Sequence, residues 1–187
     1  MHRREALQRV AVILGGTVIG SELFLTGCKT EEKKTSMSFS QEDIPYLDEI
    51  ADTIIPTTDS PGAKAAEVGK FMTVYVTDCY DEDNQKSFFE GMNKINDASK
   101  KKFDAVFLKI KPEQRHDLLV ELDKEQKEYQ KTKKKEDPQH YFRLMKELTL
   151  LGYFTSKIGA TQALRYIETP GRYEGCIPYK KGDKAWA

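Results

Sequence analysis

The sequence is poor in the residue patterns that catalysis and cofactor binding require. Its 187 residues include three cysteines and no CxxC pair, which excludes a thioredoxin-like redox site and a haem attached through CxxCH. The GxSxG elbow, the GxGxxG turn and the phosphate loop are also absent. His116 and His140 have no second histidine or cysteine at the spacing of a metal site. The sequence therefore predicts neither a catalytic residue nor a bound metal.

The chain also has little net charge and few strand patterns. Lysine plus arginine number 30, as do aspartate plus glutamate. Residues 1–27 hold three arginines and two glutamates, so the remaining chain has 27 basic and 28 acidic residues, a formal charge of −1. Such a chain has no electrostatic reason to bind nucleic acid. Because apolar residues recur at helical spacing and strand patterns are nearly absent, the predicted fold class is all-α.

The N-terminal segment has the composition of an export signal rather than of a domain. A basic start that contains Arg3 and Arg4 precedes an apolar run and a small-residue site at 25–28. A retained membrane helix is the weaker interpretation. Residues 10–25 number about 16 and include Glu22, whereas a typical span needs about 20 apolar residues.

Two features of this signal predict where the chain works. The adjacent Arg3 and Arg4 are typical of the twin-arginine route, which exports folded proteins. General secretion with a chance arginine pair is the alternative, since the usual motif is otherwise matched only at Leu7. Residues 25–28 (LTGC) resemble a bacterial lipobox, in which the cysteine receives a lipid. We therefore predict a twin-arginine-type lipoprotein signal peptide at residues 1–27, and a lipid anchor at Cys28 on the periplasmic side of the cell envelope.

The rest of the chain divides into a tether and one domain. Residues 28–39 are polar and predict a flexible tether, whereas residues 40–187 predict a compact bundle of about six helices with an irregular C-terminal tail. Pro56 should end the first helix, and residues 131–137 should form a charged, solvated loop before the last one. The predicted helices begin near Ser40, Ala65, Asp81, Lys102, Pro112 and Pro138.

The segment from residue 170 to 179 is unlike the rest of the chain. Its two glycines and two prolines exclude a regular helix, and it also contains aromatic, arginine and cysteine side chains. Exposed aromatic and arginine side chains are common in protein interfaces. The alternative is a tail that only closes the helical core. We predict a partner interface formed by Arg172, Tyr173, Glu174, Cys176 and Tyr179.

Two cysteines remain once Cys28 is assigned to the lipid. Cys79 and Cys176 would lie in an oxidising compartment. They could form a disulfide with each other, pair with cysteines of a partner, or stay as free buried thiols. The sequence leaves these three possibilities open.

Three segments of the chain resemble the gluconate 2-dehydrogenase subunit 3 family. They are residues 51–66 (ADTIIPTTDSPGAKAA), residues 152–155 (GYFT) and residues 170–179 (PGRYEGCIPY). The resemblance extends over roughly residues 40–179. It implies the small, non-catalytic subunit of a membrane-associated dehydrogenase complex.

The same resemblance implies the partners and the cofactor. The large subunit of such complexes is a flavoprotein that holds FAD and oxidises a sugar or sugar acid, and a cytochrome subunit often takes the electrons. The small subunit carries the export signal and escorts the folded large subunit, and no cofactor is expected on this chain itself. The alternative is a freestanding envelope lipoprotein that binds some other envelope protein.

Overall fold

The computed structural model describes residues 37–186. Arg3, Arg4 and Cys28 lie outside the described residues, so the predicted signal peptide, lipid anchor and most of the tether stay predictions. The described chain contains five α-helices, a short 3₁₀ turn and a π-helical turn. Its only strand-like pairing is one isolated bridge near the C-terminus. The all-α prediction is confirmed.

The five helices occupy most of the chain between residues 43 and 155, and none of them is both long and apolar enough to cross a bilayer. The 3₁₀ turn lies between the third and fourth helices, and the π turn follows the last. The elements are α1 (Asp43–Ile54), α2 (Val68–Cys79), α3 (Glu82–Phe103), the 3₁₀ turn (Phe107–Lys109), α4 (Pro112–Thr132), α5 (Tyr141–Thr155) and the π turn (Gly159–Ala163).

Helix α5 is the centre of the bundle, because it packs against each of the other four helices. Eight of its fifteen residues are buried. Two glycines let neighbouring helices approach closely. A Cβ at Gly152 would lie 2.5 Å from a ring carbon of Phe71 on α2, and one at Gly91 on α3 would collide with Tyr141. Each large apolar side chain that α5 buries against its neighbours contributes about 1.5–3 kcal/mol to the stability of the fold.

Residues at the helix starts, or just before them, explain where α3, α4 and α5 begin. Asp81 accepts a hydrogen bond from the backbone N–H of Asn84 at 2.8 Å, and Pro112 is the first residue of α4. These two starts were predicted. The start of α5 was predicted at Pro138 but lies at Tyr141, because His140 is the residue that caps this helix.

The first two helices begin later than the sequence predicted. Ser40 does bond to the carboxylate of Asp43, but this contact closes a turn and α1 starts at Asp43 itself. The second helix was expected from Ala65 and begins at Val68. Glu67 has a left-handed backbone with φ of 53°, which interrupts helical geometry at that point.

A separate helix near Lys102 was predicted and does not form. Helix α3 instead continues to Phe103 and ends at Asp104, which has φ of 55°. The segment that follows contains only a 3₁₀ turn, whose Phe107 is fully buried. The apolar spacing that suggested a new helix therefore comes from the end of α3 and one buried side chain beyond it.

Candidate partner-binding loop

After the π turn, the chain forms a long loop whose two ends meet. We call residues 166–185 the C-terminal loop. At its neck, the backbone N–H of Arg165 donates to the carbonyl of Ala185 at 2.8 Å, and Arg165 and Trp186 form a parallel bridge. The amine of Lys184 also donates to the carbonyl of Gln162. The segment predicted to be irregular is thus closed rather than trailing.

Side chains of the C-terminal loop face solvent throughout. Tyr173 is 96% exposed and Tyr179 is 75% exposed, and every residue of the loop is in the exposed class. The alternative of a tail that closes the helical core therefore does not match the structure, since no residue of the loop is among the buried ones. Large apolar groups left in water often mark an interaction site.

The loop encloses a pocket of about 590 Å³ with a mostly apolar lining. Tyr166 and Cys176 do not line it, although both are exposed loop residues. The guanidinium of Arg172 lies 2.8 Å from the carboxylate of Glu174 at its edge. Such an exposed pair adds little to stability. The lining consists of Ile167, Pro170, Arg172, Tyr173, Glu174, Gly175, Ile177 and Trp186.

The structure brings the five predicted interface residues onto this one loop. Arg172, Tyr173 and Glu174 line the pocket, whereas Cys176 and Tyr179 are exposed outside it. Their contact with a partner stays a prediction.

Both remaining cysteines are free thiols in the structure. Cys79 is the last residue of α2 and Cys176 lies in the C-terminal loop, and both are exposed. The internal disulfide is therefore not formed here, and neither thiol is buried as one alternative required. Pairing of Cys176 with a partner cysteine remains a prediction.

The sequence did not identify Arg165 and Trp186 as important residues. The carbon at the centre of the Arg165 guanidinium lies 4.3 Å from the centroid of the Trp186 ring, within the range of a cation–π contact. No local pattern could have predicted this pair, because the two residues meet only when the loop closes. We call this pair, with the backbone bond beside it, the neck clamp.

A second pocket, of about 670 Å³, lies beside His140 between α3, α4 and the start of α5. The Nδ1 atom of His140 accepts a hydrogen bond from the backbone N–H of Phe142 at 3.2 Å, and its Nε2 atom lies 3.6 Å from a carboxylate oxygen of Glu125. Burial lowers the pKa of His140, although Glu125 opposes the shift. This geometry makes His140 a helix cap. Across residues 37–186 no group of three or more His, Cys, Asp or Glu side chains could hold a metal ion.

Two of the three segments that carry the family resemblance meet inside the bundle. The hydroxyl of Tyr153, in residues 152–155, donates to the carbonyl of Pro61, in residues 51–66, at 2.6 Å. Gly62 packs so tightly that a Cβ would lie 2.6 Å from the backbone nitrogen of Thr57. These segments therefore join α5 to the loop after α1, and their contacts are structural.

Comparison with known proteins gives a family match that covers the helical bundle and only the first part of the C-terminal loop. The family model described as Gluconate 2-dehydrogenase subunit 3 matches residues 41–171. The match spans all five helices and the π turn, and it ends inside the C-terminal loop. The predicted interface residues from Arg172 to Tyr179 lie beyond it. Searches of the curated proteins and of the solved structures returned no significant match.

Proposed function

The chain belongs to the gluconate 2-dehydrogenase subunit 3 family, and we propose that it is the non-catalytic small subunit and escort of an exported, FAD-dependent sugar or sugar-acid dehydrogenase. The family name itself implies association with other subunits of such a complex. The observation that favours a binding role is the C-terminal loop, which exposes aromatic side chains around a pocket. In this proposal the loop contacts the large subunit, and FAD and the chemistry reside there.

The N-terminal residues supply the export and anchoring parts of the proposal. A flavin is loaded in the cytoplasm, so a flavoprotein must be exported after it folds. Arg3 and Arg4 would serve both proteins if the small subunit takes the folded large subunit through the twin-arginine route. Cys28 would then hold the complex at the membrane, because each buried lipid CH₂ contributes about 0.8 kcal/mol. A cytochrome subunit would accept the electrons.

Affinity purification from detergent-solubilised membranes tests this function. Tagged wild-type chain should recover a large protein that shows flavin absorbance and sugar or sugar-acid dehydrogenase activity. Cys28→Ala should prevent lipidation, and Arg3→Lys with Arg4→Lys should leave the flavoprotein in the cytoplasm. On a non-reducing gel, a mixed-disulfide band that disappears in Cys176→Ser would support a bridge to the partner.

The alternative, a freestanding envelope lipoprotein, predicts a different result. The anchored chain would then be recovered with no flavoprotein, and the double arginine variant would not change the location of any dehydrogenase. Either result would overturn the escort function.

A further inference from the structure

The neck clamp joins the two ends of the C-terminal loop through contacts between residue 165 and residues 185–186. Arg165 and Trp186 stack at 4.3 Å, and the Arg165 N–H bonds to Ala185 at 2.8 Å. Lys184 adds a bond to Gln162, just before the loop begins. The loop is thus tied at its two ends, and none of its hydrophobic side chains is among those packed against the buried core.

Closing the neck before binding has an energetic consequence. A free chain of this length would lose conformational entropy when a partner ordered it, both in the backbone and in each side chain that becomes fixed. A loop that is already closed has lost part of this entropy on folding. The clamp therefore favours tighter binding, and Arg165 contributes to this without lining the pocket, whereas Trp186 belongs to both the clamp and the pocket.

Charge and shape indicate what the pocket fits. The segment from Arg165 to Trp186 contains five basic and three acidic residues, so its net charge is +2 on a chain that is neutral overall. Arg172 and Glu174 pair with each other, and the Asp183 carboxylate accepts the backbone N–H of Lys180. The side chains of Lys180 and Lys181 are adjacent, exposed positive charges within the loop. The pocket lining is mostly apolar, with Ile167, Ile177 and Trp186 in it.

We propose that the C-terminal loop is a preformed docking module for the large dehydrogenase subunit. The neck clamp keeps the loop closed, and the pocket of the loop receives an apolar side chain of the large subunit. Acidic residues surround that side chain on the surface of the large subunit. This inference rests on the proposed function. It adds a positioning residue, Arg165, and the pocket residue that it holds, Trp186, and it states the chemistry of the partner surface.

Arg165→Ala in the full-length chain tests the clamp. It removes the contact with Trp186 and changes no other side chain of the pocket, because Arg165 does not line the pocket. Trp186 is the only tryptophan of the chain, so its fluorescence reports the clamp directly in the isolated subunit. We expect iodide to quench the emission of Arg165→Ala more than that of wild type, with an unchanged melting temperature. Affinity for the co-purified large subunit should fall about tenfold, mainly through slower association. Arg165→Lys should retain more of the affinity.

Two lysine pairs test the charge of the partner. Lys180→Gln with Lys181→Gln should weaken binding and reduce its dependence on salt, since both charges lie within the loop. The matched control, Lys134→Gln with Lys135→Gln, removes two charges from the loop between α4 and α5 and should leave binding unchanged.

The outcomes separate this inference from the proposed function. Equal affinity of wild type and Arg165→Ala, with increased quenching of Trp186, would overturn the role of the clamp and leave the subunit function intact. Equal effects of the two lysine pairs would overturn the acidic docking face. A wild-type chain that captures no flavoprotein would overturn both the function and the docking module.

Discussion

The helical bundle and the C-terminal loop use their side chains in opposite ways. On α5, Phe142, Met145 and Leu148 are at most 2% exposed and pack against four other helices. In the loop, Tyr173 is 96% exposed and is not among the side chains packed against the core. The family match follows the bundle and stops at Gly171. Family membership therefore informs us about the scaffold, whereas the match covers only residues 166–171 of the loop for which we propose recognition.

The largest expected effect comes from breaking the bundle. Met145→Ala should lower the free energy of unfolding by about 2–5 kcal/mol, because it removes a fully buried side chain and leaves a cavity. That is a large part of the roughly 5–15 kcal/mol of a typical domain. Tyr173→Ala is the matched loop substitution and should change stability by less than about 0.5 kcal/mol. Urea unfolding followed by circular dichroism measures both, and similar losses would contradict the division.

The second prediction reverses the comparison by measuring binding instead of stability. Arg172→Ala with Tyr173→Ala should weaken the complex with the large subunit by about 2 kcal/mol, or roughly thirtyfold, because aromatic and arginine side chains often dominate interfaces. The helical signal and melting temperature of the isolated subunit should stay near those of wild type. Binding that falls only as far as folding falls would mean that the loop is structural.

A smaller effect is expected where the two family segments meet. Tyr153→Phe removes the hydroxyl that donates to Pro61 and should lower stability by about 1 kcal/mol, the usual net value of one hydrogen bond. Tyr166→Phe is the control, since its side chain is 53% exposed in the loop. Thermal unfolding of both variants checks this, and a loss no larger for Tyr153→Phe than for the control would remove the structural role given to these segments.

Local signals explain which parts of this structure could be predicted from the sequence. Pro56 and Pro112 mark the end of α1 and the start of α4 because proline restricts the backbone wherever it occurs. No proline marks the end of α3 before Phe107. The sequence therefore placed the start of a new helix near Lys102, whereas α3 continues to Phe103. The boundary depended on Asp104, whose left-handed backbone is not a strong signal in the sequence.

The candidate site was predictable in composition and not in geometry. Glycine and proline in residues 170–179 excluded a helix, and aromatic side chains in such a segment indicated an interface. The neck clamp depends on contact between Arg165 and Trp186 across a closed loop, and no local pattern specifies a contact of that kind. The sequence could not choose among the possible states of Cys79 and Cys176 for the same reason, because the positions of both thiols depend on the tertiary fold.

The smallest expected effect is a pH dependence of stability, which arises in the bundle and not in the C-terminal loop. Burial lowers the pKa of His140 below its ordinary value of 6.5, against the attraction of Glu125, and nearby Lys94 lowers it further. A protonated imidazole would carry N–H on Nδ1, where it now accepts the N–H of Phe142, so protonation also removes the cap of α5. The unfolded chain binds this proton more readily than the folded chain. The contribution of neutral His140 to the free energy of unfolding is therefore fully present above about pH 6.5. It is lost as the pH falls from there toward the pKa of His140 in the folded chain.

His140→Asn isolates this dependence, since asparagine can cap a helix and does not titrate. Between about pH 7 and pH 5.5, wild type should lose unfolding free energy relative to this variant, as measured by urea unfolding at each pH. His116→Asn, at an exposed position of α4, should follow wild type. Parallel curves for wild type and His140→Asn would show that His140 contributes no pH dependence. Affinity of the loop for its partner should not follow this titration, because the loop has no contact with His140 or its pocket.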